Sequence, residues 1–267
     1  MTPSTLRRMI AALIISCAVA LTAVLPSEAA VRLQSVAHRG DKQYHPDNSL
    51  AGIRSAVNKG ADWVEIDVIY NPQGNTFFLS HDNGCSGPGG RATIDTDSAA
   101  TVRARCALPE LGSVLNSYKA TGYLNFIVEF KATSKTTTPG ATALATLLKR
   151  TGTNNAVYVS SLSDPALKVL RTQDQGLKLM RVRHNSGAIK VSRSYIDTTR
   201  AMGMQSINVN LWAWNAELVA YARSKGLVVC GWAWPTASEN TNTEAINLVL
   251  DMWMTDRLDD LHQKLGR

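Results

Sequence analysis

The chain has few cysteines, four among 267 residues, and no linker, low-complexity tract or internal repeat. The missing linkers and repeats exclude a string of modules and leave room for one large domain. Lysine and arginine are scattered rather than clustered with aromatics, which argues against nucleic acid as a partner. Beyond residue 25 no apolar run is long enough for a stable membrane span.

What is present begins with a leader. Arg7 and Arg8 precede an apolar run from Met9 to Leu25, and Ser27, Glu28 and Ala29 supply small residues at cleavage spacing. Residues 1–29 are therefore expected to be a secretory signal peptide, and residues 30–267 a secreted or extracytoplasmic domain. As a membrane span the run is short and interrupted by Ser16 and Thr22. Cys17 resembles a lipoprotein acylation site, but the apolar run continues past it, which favours simple cleavage. The net charge of +7 survives loss of the leader, which removes two Arg and one Glu. An exported cationic chain suits an anionic substrate or an envelope polymer. Export also lets thiols pair. Cys85 and Cys106 bracket a Gly-rich polar loop and are expected to form a disulfide, with other pairings left open, whereas Cys230 sits in an apolar run and reads as a buried free thiol.

Strand-like and helix-like segments alternate through the rest of the chain. The β-branched and aromatic runs fall at 34–38, 63–70, 123–131, 156–161, 177–183, 206–210, 227–234 and 253–255. Eight strands alternating with helices, in about 238 residues, predict an α/β fold, a single-domain TIM (β/α)8 barrel. Helix signals lie between them: Asp47, Asn48 and Ser49 before 50–59, Asp164-Pro165 before 166–175, and Asn215 before 216–225. A further strand at 76–80 pairs plausibly with 63–70 as a hairpin and would raise His81-Asp82 toward the barrel mouth.

The polar residues within these strands carry the chemistry. Glu65 and Asp67 lie two apart in a strand, so both carboxylates face the same way. On a buried strand such a pair calls for positive charge between them, and a divalent cation supplies it. Two solvated residues on an edge strand are the bland alternative, opposed by the apolar flanks. Glu129 and Lys131 likewise share a strand face, as a salt bridge or as part of the same site. His38, Glu65, Asp67, Glu129, Lys131 and Trp232 all fall near strand ends, where barrel enzymes gather their functional groups. Arg181 and Arg183 share a face and could reach phosphate or be solvated; His45, His184 and His262 read as surface residues; Trp234 reads as packing.

His38-Arg39-Gly40 followed by Pro46-Asp47-Asn48-Ser49 resembles the opening signature of the glycerophosphodiester phosphodiesterase family. Glu65-Ile66-Asp67, His81-Asp82, Leu108-Pro109-Glu110-Leu111, Glu129-Phe130-Lys131, Trp232-Ala233-Trp234 and Trp253-Met254-Thr255-Asp256 are similar to its later motifs, in the same order. The resemblance implies a TIM barrel and a divalent metal held by Glu65, Asp67 and Glu129. It further implies acid/base catalysis by His38 and His81, phosphate binding by Arg39 and Lys131, and a substrate-side Trp232. All-oxygen ligation favours Ca²⁺ or Mg²⁺. Two departures stand out: Asp47 replaces the usual Glu, and Ala233-Trp234-Pro235 replaces Thr-Val-Asn. The segment after Lys131 is too short for the family's capping insertion, which implies an open mouth. The expected activity is hydrolysis of a small anionic phosphodiester, a glycerophosphodiester, to glycerol 3-phosphate and an alcohol. The alternatives are a phospholipase D or sphingomyelinase D-like activity on a lysolipid substrate, and a non-catalytic binder of envelope polyol-phosphate polymers such as teichoic acid.

Overall fold

A computed structural model of the chain describes residues 32–184, 191–233 and 239–267. The expected signal peptide and Trp234 lie outside the described residues. Residues 31–267 form one compact unit.

The predicted alternation closes into a barrel. Its strands are β1 (Gln34–Ala37), β2 (Trp63–Asn71) with the hairpin partner β3 (Thr76–Leu79), then β4 (Gly84–Gly87) and β5 (Gly90–Thr93) in a separate ribbon. They continue as β6 (Phe126–Phe130), β7 (Tyr158–Ser161), β8 (Lys178–Arg183), β9 (Ser206–Asn210), β10 (Val228–Trp232) and β11 (Met252–Thr255). β1 pairs in parallel with both β2 and β11, so the sheet of β1, β2 and β6 to β11 has no free edge. Helices join successive barrel strands and cover its outside. Among the described residues no helix is long and apolar enough to cross a membrane.

Alternation along each strand divides the side chains into two sets. One set fills the barrel interior, with Val36, Ile127, Tyr158, Met180, Cys230, Met252 and Met254 packed together. The other faces the helices, as Ile66, Val128, Val159 and Leu179 do in the larger cluster that contains Leu144, Leu148 and Leu167. Cys230 is a buried free thiol, as expected. The helix signals also hold: Ser49 accepts from Gly52 N, and Asn215 from Leu218 N. At the helix Asp164–Gln173 the cap is Ser163, which accepts from Ala166 N, leaving Asp164 free for another partner.

That partner corrects one expectation. Arg181 is buried and forms a two-pronged ion pair with Asp164, with a further bond to Thr199 and the Tyr195 ring 4.1 Å away. Arg183 lies over the same ring at 4.9 Å. Their shared face points to the helices rather than to the barrel interior, so neither reaches the cavity described below. His262 is not a surface residue either: it is 8 % exposed and its Nε2 bonds Ser35 Oγ at 2.9 Å. His45 is half-buried beside the helix at Leu50–Asn58.

The segment between β3 and β6 is anchored twice. Asn71 accepts from Gly74 N and donates to Ile94 O and Asp97 O, holding the hairpin turn against the next loop. Cys85 on β4 is disulfide-bonded to Cys106, the last residue of the helix Ala99–Cys106, and Phe78, Ile94 and Val102 pack with them. The loop closed is 21 residues long, for which the chain-entropy account gives about 3 kcal/mol. Replacing both cysteines by serine is expected to lower Tm by roughly 10 °C, read by circular dichroism against the oxidised wild type.

Candidate functional site

His38-Arg39-Gly40 forms a turn directly after β1, and its backbone explains its composition. Arg39 and Gly40 both have positive φ, 58° and 84°. A Cβ on Gly40 would lie 2.8 Å from the Gly52 carbonyl carbon, so only glycine lets the turn pack on the following helix. The strained turn aims the Arg39 amide at Glu65 Oε2, 2.9 Å away, and brings its guanidinium to Asp67 Oδ2 at 3.1 Å and Asp47 Oδ2 at 2.8 Å. The shortened carboxylate at Asp47 therefore still reaches arginine.

Sheet register assembles the carboxylates. Glu65 and Asp67 share one face of β2, and Asp67 stands opposite Glu129 on β6. Ligand oxygens of the three lie within 4.8 Å of one another, and all three residues are buried. Cations and amides compensate them unequally. Lys131 Nζ lies 3.0 Å from Asp67 Oδ1 and 2.5 Å from Glu129 Oε1. Asn48 donates to Asp67 Oδ2 and accepts from its backbone N–H. Burial pushes the Asp67 carboxyl up, but Lys131, Arg39 and Asn48 outweigh it and hold it below its usual range. Glu65 goes the other way: burial first, then Asp67 and Glu129, raise it well above a normal glutamate. Its Oε1 is buried with no partner among the described residues. An orphaned oxygen in a cluster of three carboxylates, with two cations already present, is the donor set a hard divalent cation fits.

The two histidines approach from different elements. His38 Nδ1 bonds Asp256 Oδ1 at 2.6 Å, at the end of β11, and its Nε2 lies 4.0 Å from Glu65 Oε2. Burial opposes ionisation of Asp256, but His38 and Lys42 overcome it and hold the carboxyl down. His81, raised by the β2–β3 hairpin, has Nδ1 2.8 Å from Asp82 Oδ1. The hairpin itself is pinned by Leu79 N bonding Pro109 O and by Glu110, whose carboxylate takes Thr76 and Arg103. Each histidine thus has one ring nitrogen on a carboxylate, which favours the proton there and leaves Nε2 free to accept or, once charged, to donate.

These groups surround one cavity of about 240 Å³ lined by His38, Arg39, His81, Glu129, Lys131, Leu162, Val182, His184, Asn208, Trp232 and Met254. Its two sides differ in chemistry: β1, β2 and β6 bring the charges, whereas the wall opposite, from β8 to β10, brings Val182, His184, Asn208 and Trp232. Of the expected site residues, Glu65 and Asp67 lie just beneath the cavity wall and the other six line it. Cys85 and Cys106 lie outside it, in the anchoring ribbon.

Four participants carried no clear signal. His184 is exposed, as expected of a surface residue, yet lines the cavity with its ring edge on Trp232 at 5.0 Å, and burial lowers its basicity. Asn208 could have been found from strand parity, since it alternates with Ser206 and Asn210. Asn48 was legible only as a helix cap. Asp256 was visible in the closing Thr-Asp motif, without a partner.

Comparison with known proteins agrees with this geometry. The model of the glycerophosphoryl diester phosphodiesterase family matches residues 38–82. Over 52 residues the chain is 42 % identical to human glycerophosphodiester phosphodiesterase 1, a match covering 20 % of this chain and 15 % of the human protein. An Oleispira antarctica phosphodiesterase solved with sn-glycerol-3-phosphate, described as its product, superposes with a TM-score of 0.75 at 17 % identity, covering 88 % of this chain and 97 % of that one. A glycerophosphodiester phosphodiesterase from Parabacteroides distasonis gives 0.71 at 18 %, covering 88 % and 97 %. The family-model match bears out the family resemblance over residues 38–82, and the structural neighbours bear out the barrel fold.

The carboxylate cluster makes a prediction independent of activity. A divalent cation at about a hundred times its Kd should stabilise the fold by about 2.7 kcal/mol, seen as a rise in Tm. Glu65→Gln should abolish most of that rise; a full rise in the variant would show that the ion binds elsewhere.

Proposed function

We propose that this relative of the glycerophosphodiester phosphodiesterases is an exported, metal-dependent hydrolase that cleaves glycerophosphodiesters to glycerol 3-phosphate and an alcohol. One observation carries the reading: two carboxylate-braced histidines, an arginine, a lysine and the three-carboxylate cluster converge on one cavity.

A phosphodiester is a stable monoanion, so cleavage needs charge neutralisation, alignment of the nucleophile and protonation of the leaving oxygen. The Arg39 guanidinium and Lys131 ammonium offer the first from the cavity wall. Lys131 stays charged there, because Glu129 and Asp67 outweigh the effect of its burial. Glu65, Asp67 and Glu129 would hold Ca²⁺ or Mg²⁺, which would supply further positive charge beside the phosphate. His38 and His81 divide the proton work, one Nε2 accepting from the nucleophile and the other donating to the leaving oxygen. Asp256 and Asp82 orient the rings and stabilise the imidazolium that forms.

Export is supported by the Arg7-Arg8 leader pattern and by the disulfide, which persists in oxidising compartments. A small anionic phosphodiester fits the cationic side of the cavity. A second reading, phospholipase D or sphingomyelinase D-like action on a lysolipid, is favoured by the apolar residues of the cavity, where exposed Leu162 is joined in the lining by Val182, Trp232 and Met254. Binding of envelope teichoic acid without cleavage is less well supported, since both histidines and all three carboxylates are in place.

Turnover of glycerophosphocholine, lysophosphatidylcholine and sphingomyelin, with glycerol 3-phosphate and choline measured separately, distinguishes the readings. His38→Ala and His81→Ala should each lose on the order of 10²- to 10⁴-fold in kcat with an unchanged circular dichroism spectrum; near-normal turnover in either would sink the assignment. A chelator should silence the enzyme, and Ca²⁺ or Mg²⁺ should restore it. Asp256→Asn should cost roughly tenfold or more in kcat with little change in KM, because it removes the charge that fixes the His38 tautomer.

A further inference from the structure

The wall facing the charged groups holds two polar atoms with no use in the scheme above. Asn208, at the centre of β9, is 1 % exposed, lines the cavity, and its Oδ1 is buried without a hydrogen-bond partner among the described residues. On the adjacent strand β10, Trp232 lines the same cavity, and its Nε1 is likewise buried and unpartnered. A buried polar atom left unpaired loses its hydration without regaining a hydrogen bond, which is unfavourable. Two other buried indoles are satisfied: Trp253 donates to Asn242 Oδ1, and Trp214 to Cys230 O.

The two orphans differ in kind. One is an acceptor and the other a donor, on residues of neighbouring strands that line the same cavity. A hydroxyl group both donates and accepts, so one hydroxyl, or two on adjacent carbons, can pair with both; a carboxylate or an alkyl group cannot. Val182 and Met254 are the apolar residues lining the cavity with them, and the His184 ring packs edge-on to Trp232 at 5.0 Å, so a substituent lacking hydroxyls would leave the Asn208 and Trp232 atoms unpaired. The strands that carry them lie across the barrel from those bearing Arg39, Lys131 and the carboxylates.

We propose that Asn208, with the Trp232 indole N–H, is the specificity-determining pair of this site and reads a hydroxyl on the organic substituent of the phosphate ester. The pair thereby selects polyol phosphates over simple alkyl phosphates. The inference rests on the phosphodiesterase reading for the placement of the phosphate on the cationic wall. It adds what the opposite wall recognises.

The test uses two probes of equal carbon count, glycerol 3-phosphate and n-propyl phosphate, titrated calorimetrically into the full protein with Mg²⁺ present. Wild type is expected to bind glycerol 3-phosphate about tenfold or more tightly than n-propyl phosphate. Asn208→Leu, and Trp232→Phe, which keeps the ring and loses only the N–H, should each bring that ratio to about threefold or less. They should do so mainly by weakening glycerol 3-phosphate. Should the leucine variant fail to fold, Asn208→Ser takes its place. No preference in wild type, as when an ordered water satisfies both atoms, overturns the proposal, and so does full discrimination retained in either folded variant. Glycerophosphocholine hydrolysis by the same preparations separates the two readings. Turnover with discrimination intact in the variants removes only the Asn208 assignment, whereas the expected binding ratios without turnover remove only the hydrolase reading. Binding of neither phosphate removes both.

Discussion

Three carboxylates buried at one end of a parallel barrel are the constraint to which the rest of the site answers. Glu65, Asp67 and Glu129 cannot all be ionised in a dry interior without opposite charge at close range. Lys131 and Arg39 supply part of it, and the need to bring them there accounts for several local peculiarities. Arg39 adopts a positive φ so that its amide and its guanidinium reach two different carboxylates. Gly40 must be glycine because the turn that achieves this lies against the next helix. Asn48, also at positive φ, spends its side chain on Asp67 from both ends. The family signature is thus largely a device for holding charge: most of its residues serve Glu65 and Asp67 before they serve a substrate.

Compensation remains incomplete at Glu65, and that incompleteness is chemically useful. Lys131 leans on Asp67 and Glu129, leaving the deepest carboxylate with an oxygen that nothing meets and an affinity for protons well above normal. A site balanced by its own cations would have no reason to accept another. Here the imbalance sits at the cavity floor, beside His38, whose other nitrogen is tied to Asp256. The cavity is therefore divided into a charged wall and an uncharged or weakly basic one carrying Val182, His184, Asn208 and Trp232.

Much of this was legible in the residues. Seven of the eight barrel strands lie within two residues of their expected bounds, because β-branched runs between Gly, Pro and Asn punctuation carry a local signal. The strand expected at 123–131 is shorter, Phe126–Phe130, since Tyr123 turns its hydroxyl to Ala61 O and packs on Tyr118 instead of joining the ladder. Within the run Asp47-Asn48-Ser49 any of the three suits a helix cap; Ser49 takes that place and Asn48 turns to Asp67. The three surface histidines were treated alike, yet one is buried against Ser35, one is half-buried and one borders the cavity; only packing distinguishes them. Arg181 and Arg183 failed as phosphate ligands because parity tells which residues share a face, not which face is inward.

The order of strands, the pairing of Glu65 with Asp67 on one face and the bracketing cysteines follow from local pattern, since period-two alternation and β-propensity act within a few residues. Tertiary structure decided what stands opposite what: that Asp67 meets Glu129, that Asp256 at the far end of the chain braces His38, and that Asn208 and Trp232 share a wall. Those pairings depend on the register and closure of the sheet. Closure joins the first strand to the last, a contact between residues more than two hundred apart whose alignment no local preference encodes.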